Sequence, residues 1–150
     1  MLCYTGLRLS ETLRLTWNDV RLADGYTYLS STKNDEPRGV FLPPVAVAAL
    51  GNLGGGNTGR VFSFHKSGHL YNLLWKTTTN AGIELPERSA FHIFRHTYAT
   101  WMRRYAGADA QSLIATGAWR DRKSVERYAH TVVSEEAQRA ALLPTKARKA

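Results

Sequence analysis

The sequence has little of several features that define whole classes of protein. Its single cysteine, Cys3, excludes an internal disulfide and is typical of a reducing compartment. No apolar run approaches the roughly eighteen residues of a membrane span, and the N-terminus lacks the charged and apolar regions of a secretory signal. We therefore expect a protein without membrane contact that stays in the cytoplasm.

Signals for a metal ion or a nucleotide are weak. His65 and His69 lie four residues apart, but no cysteine or carboxylate stands nearby to complete a zinc site. The glycine-rich stretch 54–59 resembles the start of a phosphate-binding P-loop, yet Arg60 follows where that motif requires lysine. The sequence predicts neither a metal nor a cofactor.

Size and charge indicate one domain with a polyanionic partner. The 150 residues, 43% of them hydrophobic, are enough for one sizeable core. The formal net charge is +8: residues 1–87 carry 8 basic and 7 acidic side chains (+1), and residues 88–150 carry 12 and 5 (+7). A polyanion would therefore mainly contact the second part.

Acidic residues are absent from 91–108, and the helix predicted over 91–105 has two unlike faces. One is aromatic, and its spacing predicts that it packs in the core: Phe94, Tyr98, Trp101 and Tyr105. The opposite face is rich in imidazole and guanidinium groups, which bind and protonate phosphate: His92, Arg95, His96, Ala99 and Arg103.

The remaining pattern predicts a mainly helical α+β fold with a small three-stranded antiparallel sheet. Strands are expected at 20–22, 26–30 and 39–42, with Lys33 in the second hairpin. Further helices are predicted at 9–19, from Pro44 to Leu50, at 70–81, at 110–116 capped by Asp109, at 125–130 capped by Ser124, and at 134–143.

Five segments, in order, resemble the catalytic domain of the tyrosine recombinases, the phage integrase family. They are Thr-Gly-Leu-Arg-Leu-Ser-Glu at 5–11, Ser-Thr-Lys at 31–33, His-Ile-Phe-Arg-His-Thr-Tyr-Ala-Thr at 92–100, Gly-Ala-Trp at 117–119 and Arg-Tyr-Ala-His at 127–130. Each segment alone is more often structural. Together they cover nearly the whole chain with family-like spacing, so the resemblance implies a DNA breaking and rejoining fold.

The resemblance implies a covalent mechanism without metal or ATP. Arg8 and Arg95 would bind the non-bridging oxygens of the scissile phosphate, and Tyr128 would attack it to form a 3′-phosphotyrosine. Two guanidinium groups can neutralise the negative charge that develops on those oxygens. The energy of the broken bond is kept in the new ester, so rejoining needs no nucleotide.

Other positions would share the proton transfers. The resemblance implies that Lys33 protonates the leaving 5′-oxygen, that His92 assists proton transfer, and that Glu11 and His96 support the site. Trp119 would take the place where many members have histidine. Its indole donates a hydrogen bond but cannot move a proton, so more of that work falls on His92 and Lys33.

The resemblance also implies double-stranded DNA as a partner and self-association on DNA, as a tetrameric synapse. Contacts with the DNA backbone are expected from Arg103, Arg120, Arg122 and Lys123. Helix 134–143 is a candidate contact with a neighbouring protomer. In a bacterial or phage-infected cell, the protein would lie on the nucleoid.

The expected domain runs over 1–143 and is followed by a basic tail at 144–150, which we expect to be disordered. The family's N-terminal core-binding domain, which closes around DNA, is absent from these residues.

Two alternatives stay open at this point. A type IB topoisomerase-like enzyme would use the same chemistry to relax supercoiled DNA, and a non-catalytic module would only bind DNA. A metal-dependent nuclease is less favoured, since no carboxylates cluster near the histidines.

Overall fold

The computed structural model describes residues 1–30, 37–54, 58–86, 89–119 and 121–128. Within these ranges, helices dominate and one small sheet is present, which confirms the predicted fold class. No described helix is both long and apolar enough to span a membrane. The helices are α1 (Leu2–Thr5), α2 (Leu9–Arg14), α3 (Pro44–Gly51), α4 (Gly68–Asn80), α5 (His92–Ala106), α6 (Ala110–Ala115) and α7 (Arg122–Glu126).

The sheet is the predicted antiparallel meander, with strands β1 (Val20–Arg21), β2 (Tyr26–Leu29) and β3 (Arg38–Phe41) in that order. Thr27 in the central strand lies opposite Val20 on one side and Val40 on the other. Side chains alternate along β2, so that Thr27 and Leu29 face the core. The hairpin residue Lys33 lies outside the described residues.

The first long helix is shorter than predicted. The sequence pattern predicts a helix over 9–19, but α2 ends at Arg14 and a separate 3-10 turn covers Trp17–Asp19. The backbone between them pairs elsewhere: Trp17 N–H donates to the Gly59 carbonyl, and Val61 N–H donates to the Leu15 carbonyl. These pairings satisfy backbone groups that a longer helix would have used internally.

Two apolar clusters form the core. The first joins the sheet to α3 and the loop around α2, and includes Leu7, Leu15, Val20, Leu29, Val40, Leu42, Ala46, Leu50 and Val61. The second lies among α5, α6 and α7, and includes Ala99, Ala108, Leu113, Ala118, Trp119, Val125 and Tyr128. Two residues expected at the active site, Trp119 and Tyr128, are therefore core residues.

Helix α5 is turned differently from the sequence prediction. Its predicted core stripe ends in exposed aromatics, since Trp101 is 38% exposed and Tyr105 is 74% exposed. The buried positions are Arg95, Ala99 and Arg103. Ala99 lets neighbouring elements approach closely, and arginine can bury its long aliphatic stem beside a small residue. The prediction that the aromatic stripe packs in the core is therefore wrong for Trp101 and Tyr105, whereas Tyr98 does pack against the second cluster.

The C-terminal helices differ from the prediction in their ends. Asp109 caps α6 as expected, by accepting a hydrogen bond from Ser112 N–H at 2.7 Å. Helix α7 is capped by Asp121 rather than by Ser124, because the Asp121 carboxylate accepts from Ser124 N–H at 2.7 Å. Tyr128 follows α7 in a turn. The predicted helix 134–143 and the tail 144–150 lie outside the described residues.

We predict that Gly6→Ala destabilises the fold more than Gly107→Ala. Both glycines end helices in the left-handed region, with φ of 65° and 64°, so alanine costs about 1–2 kcal/mol of backbone strain at either position. A Cβ on Gly6 would lie 2.5 Å from the Tyr98 ring, whereas nothing lies within 4 Å of one on Gly107.

We expect Gly6→Ala to lose about 1–3 kcal/mol more than Gly107→Ala in the free energy of unfolding by urea. Equal losses would show that the Tyr98 ring makes room without cost.

Candidate active site

Arg95 lies at the centre of the site. It is 3% exposed and projects inward from the first turn of α5. Its Nη1 donates to the Gly6 carbonyl and its Nη2 donates to the Ala118 carbonyl. The guanidinium carbon lies 4.5 Å from the centre of the Trp119 ring. Burial, together with the nearby Arg8 cation, lowers the pKa of Arg95 to about 10, so the group remains charged at neutral pH.

Arg8 is oriented by a buried carboxylate. Glu11, which is 2% exposed, accepts from the Arg8 backbone N–H at 2.7 Å and from the Arg8 guanidinium at 2.9 Å. Arg38 on β3 donates to the same carboxylate at 2.9 Å. Burial alone raises the pKa of Glu11, but the Arg8 backbone N–H and the charges of Arg38 and Arg8 outweigh it, so the net pKa is lowered.

A pocket of about 510 Å³ opens beside these arginines. Three segments distant in sequence supply its cations: Arg8 at the start of α2, Lys66 before α4 and Arg95 in the first turn of α5. His92, at the start of α5, adds an imidazole. No carboxylate is among the described lining residues, so the pocket favours an anion. The lining residues are Leu7, Arg8, Leu9, Ser10, Lys66, Tyr71, Ser89, Phe91, His92 and Arg95.

Tyr128 lies next to α5 but is not among the described residues that line this pocket. Its hydroxyl is 2.6 Å from Nδ1 of His96, and the whole residue Tyr128 is 5% exposed. The ring centres of His96 and His92, one helical turn apart, are separated by 4.7 Å and meet edge to face. Burial raises the pKa of Tyr128, although the charges of Arg127 and Arg95 and an interaction with Trp119 partly oppose it.

Both histidines favour the neutral form. Burial is the largest cause that lowers the pKa of His92, followed by the charges of Arg95, Arg127 and Arg8. Burial also lowers the pKa of His96, with further contributions from His92, Arg127 and Arg95. A neutral imidazole has one nitrogen that can accept a proton.

Trp119 packs against Arg95 and against two aromatic side chains of the helical core. Its ring stacks on Tyr98 at 6.1 Å and 8° between planes, and it meets Tyr128 edge to face at 5.7 Å. The indole is thus held on three sides, by Arg95, Tyr98 and Tyr128. Trp119 is therefore a packing residue as well as a predicted residue of the site.

The structure brings most of the predicted site residues together. Arg8, His92 and Arg95 share one pocket, and Trp119, His96 and Tyr128 lie beside it. Glu11 orients Arg8 from below.

The predicted DNA contacts are placed less uniformly. Arg103, expected to contact the DNA backbone, is only 9% exposed and is among the buried residues of α5. Arg122 and Lys123 lie on the exposed surface of α7, where Arg122 pairs with Glu126 at 3.1 Å. Arg120 and Lys33 lie outside the described residues.

Sequence reasoning missed three residues here. Lys66 and Tyr71 line the pocket, and Arg38 shares the Glu11 carboxylate. Tyr71 packs edge to face on Phe91 at 5.1 Å, which attaches α4 to the start of α5. No spacing signal marks them, because each reaches the site from an element remote in sequence. Among the described residues, no cluster of His, Cys, Asp and Glu could hold a metal ion.

Comparisons with known proteins show the family and the fold of this chain. The model of the phage integrase family matches residues 1–135. A curated relative, the integrase of Salmonella phage P22, is 28% identical over 144 residues, which cover 84% of this chain and 36% of that protein.

Three solved structures share the fold. The XerA recombinase aligns with a TM-score of 0.75 and 23% identity, over 96% of this chain and 55% of that one. The catalytic domain of bacteriophage HP1 integrase aligns with a TM-score of 0.69 and 23% identity, over 99% of this chain and 82% of that one. XerH recombinase bound to its difH substrate aligns with a TM-score of 0.68 and 21% identity, over 91% of this chain and 42% of that one.

This chain spans about a third of the P22 integrase and about half of XerA. The family match nonetheless covers most of its residues and includes, in full, all five of the segments quoted above. The resemblance drawn from those segments is confirmed: the chain belongs to the phage integrase family.

Proposed function

We propose that this chain is the catalytic domain of a site-specific DNA recombinase that cleaves and rejoins strands through a 3′-phosphotyrosine on Tyr128. One observation carries the proposal. Arg8, His92 and Arg95 converge on one anion-favouring pocket, and the Tyr128 hydroxyl lies against His96, which is one helical turn from His92 on α5.

The arginines have the geometry for a phosphate. Two of the five N–H donors of Arg95 bond to backbone carbonyls, and these hydrogen bonds fix the guanidinium plane at the pocket. Arg8 is 43% exposed in its side chain, and Glu11 restrains it from one side. Two fixed cations would neutralise the charge that builds up on the equatorial oxygens as the phenol attacks, with little reorganisation.

The remaining roles follow from the family. Lys33 would protonate the leaving 5′-oxygen, His92 would contact the phosphate and assist proton transfer, and Trp119 would donate a hydrogen bond. Since the ester bond to tyrosine keeps the energy of the broken bond, a free 5′-hydroxyl can reverse the step without a nucleotide.

Double-stranded DNA is the proposed substrate. The net charge of +8 suits a polyanion, and Arg122 and Lys123 stand exposed on α7. XerH, a protein of the same fold, was solved on its difH DNA. We further propose that the chain assembles as a tetramer on paired sites, with residues 134–143 contacting a neighbouring protomer.

The first prediction from this function concerns Tyr128. We expect the chain to form a covalent adduct with nicked DNA duplexes of randomised sequence, labelled at the 5′ end of the scissile strand. The nick lets the short downstream piece diffuse away, so that the adduct accumulates. It would be measured as a labelled band that survives detergent and disappears on proteolysis.

Tyr128→Phe should form no adduct, because phenylalanine keeps the ring but lacks the attacking oxygen. Tyr105→Phe is the matched control, since Tyr105 is 74% exposed on the far part of α5, and it should react like the unaltered chain. An adduct that persists in Tyr128→Phe, or no adduct from the unaltered chain, would contradict the proposal. Relaxation of supercoiled plasmid without paired sites would favour the topoisomerase-like alternative.

The second prediction concerns Lys66, which lines the pocket without having been predicted. We expect Lys66→Gln to weaken binding to a fluorescent mixed-sequence duplex by about tenfold, as for loss of one charged hydrogen bond. The slope of log affinity against log salt should fall by about one, as for one phosphate contact. Fluorescence anisotropy across a salt series measures both.

Lys76→Gln serves as its control, because Lys76 is an exposed lysine on the adjoining helix α4 that does not line the pocket. Equal losses in both variants would show that overall charge, rather than the pocket, is responsible.

A further inference from the structure

One contact in the site has no part in the roles set out above. The Tyr128 hydroxyl oxygen lies 2.6 Å from Nδ1 of His96, and the two ring centres are 5.3 Å apart. His92, to which the family resemblance gives the proton transfer, lines the phosphate pocket, and its ring and that of His96 meet edge to face. The described contacts of the phenol thus lead to His96 rather than to His92.

We propose that His96 is the general base that takes the phenolic proton of Tyr128, and that His92 serves the phosphate. The inference rests on the proposed function, since it takes Tyr128 to be the nucleophile. It changes the role of His96 from support to direct catalysis, because His96 touches a reacting atom.

The step balances as follows. The Tyr128 oxygen forms a bond to phosphorus while its proton passes to Nδ1 of a neutral His96 that carries its own proton on Nε2. The bond from phosphorus to the 5′-oxygen breaks, and its electron pair leaves on that oxygen, which receives a proton from Lys33. Imidazolium on His96 and a 3′-phosphotyrosine result. In the reverse step His96 returns the proton to the departing phenol oxygen.

The surroundings keep both partners ready for this transfer. Burial is the largest cause that lowers the pKa of His96, and His92, Arg127 and Arg95 lower it further. The free chain therefore holds His96 in its basic form, while burial keeps the proton on Tyr128. An entering phosphodiester brings negative charge near this cluster, which would favour imidazolium at the moment it forms.

His92 is placed for a different task. It begins α5, its backbone N–H donates to the Ser89 carbonyl at 2.7 Å, and its side chain faces the pocket with Arg8 and Arg95. A group in that position can contact a phosphate oxygen. It would then leave the phenol to the imidazole one turn further along the helix.

A first experiment needs no DNA. The pKa and tautomer of each histidine are measured by nitrogen NMR titration in the unaltered chain and in Tyr128→Phe. We expect Nδ1 of His96 to be the unprotonated nitrogen, and loss of the hydroxyl to raise the pKa of His96, because a donated hydrogen bond favours the neutral ring. The titration of His92 should change less. An unchanged His96 titration, or a proton on its Nδ1, would overturn the inference.

A second experiment separates proton transfer from positioning. Single-turnover adduct formation is followed against pH on duplexes with a sulfur in place of the bridging 5′-oxygen, since a thiolate leaves without a proton from Lys33. The unaltered chain should lose rate as pH falls through the pKa of His96, which lies below the ordinary 6.5. The loss occurs because a protonated His96 cannot accept the phenolic proton.

His96→Asn is the decisive variant, because the asparagine oxygen can keep the hydrogen bond to Tyr128 but cannot take its proton. We expect it to react about 100-fold or more slowly and to lose the acidic limb of the profile. His92→Asn should also be slow but should keep that limb. Circular dichroism and urea unfolding check that both variants fold.

The outcomes separate the two proposals. An adduct that depends on Tyr128 but is unaffected in His96→Asn overturns this inference and leaves the recombinase function in place. Loss of the acidic limb in His92→Asn alone would return the base to His92. Absence of any adduct with the unaltered chain contradicts the recombinase function, whereas the NMR titration still decides whether His96 holds the phenol.

Discussion

The buried guanidinium of Arg95 is the interaction on which the structure depends. Removing a cation from water costs several kcal/mol unless polar partners replace the lost hydration. Here the partners are the carbonyls of Gly6 and Ala118, which belong to the two halves of the chain, with the Trp119 ring beneath. One side chain thus ties the N-terminal turn to the C-terminal helices. The contacts that hold the fold together also fix the position of the Arg95 guanidinium, and in the proposed function this fixed group binds the phosphate.

A second buried charge sets the position of Arg8. Glu11 lies within hydrogen-bonding distance of two arginines, from α2 and from β3, and its carboxylate is almost fully buried. An acid at this depth is tolerated because the positive groups around it compensate for its burial. The result is a pocket in which one cation, Arg8, is oriented by a carboxylate that does not line the pocket. The site keeps its positive surface and still has rigid arginines.

Much of the fold and of the site could be predicted because the information is local. Helix α4, the meander and the Asp109 cap depend on neighbours a few residues apart, and the motif around 92–100 carries its own pattern. The facing of α5 could not be predicted, since periodicity ranks Trp101 and Tyr105 as apolar and Arg95 as polar. Arg95 is nonetheless buried, because carbonyls from two distant segments accept its hydrogen bonds, and the sequence pattern does not show those partners. Lys66 and Arg38 escaped for the same reason, because they meet the site only in three dimensions.

Tyr128 is packed as a core residue, with 5% of its surface exposed between Trp119 and His96. If it is the nucleophile, phosphate esters dissolved in the cell cannot reach its oxygen from bulk water. Burial then protects the Tyr128 hydroxyl, because the same apolar packing that stabilises the helices keeps it from reacting with phosphate esters in solution. Reactivity becomes conditional on a DNA strand that supplies enough binding energy to open the packing around one aromatic ring.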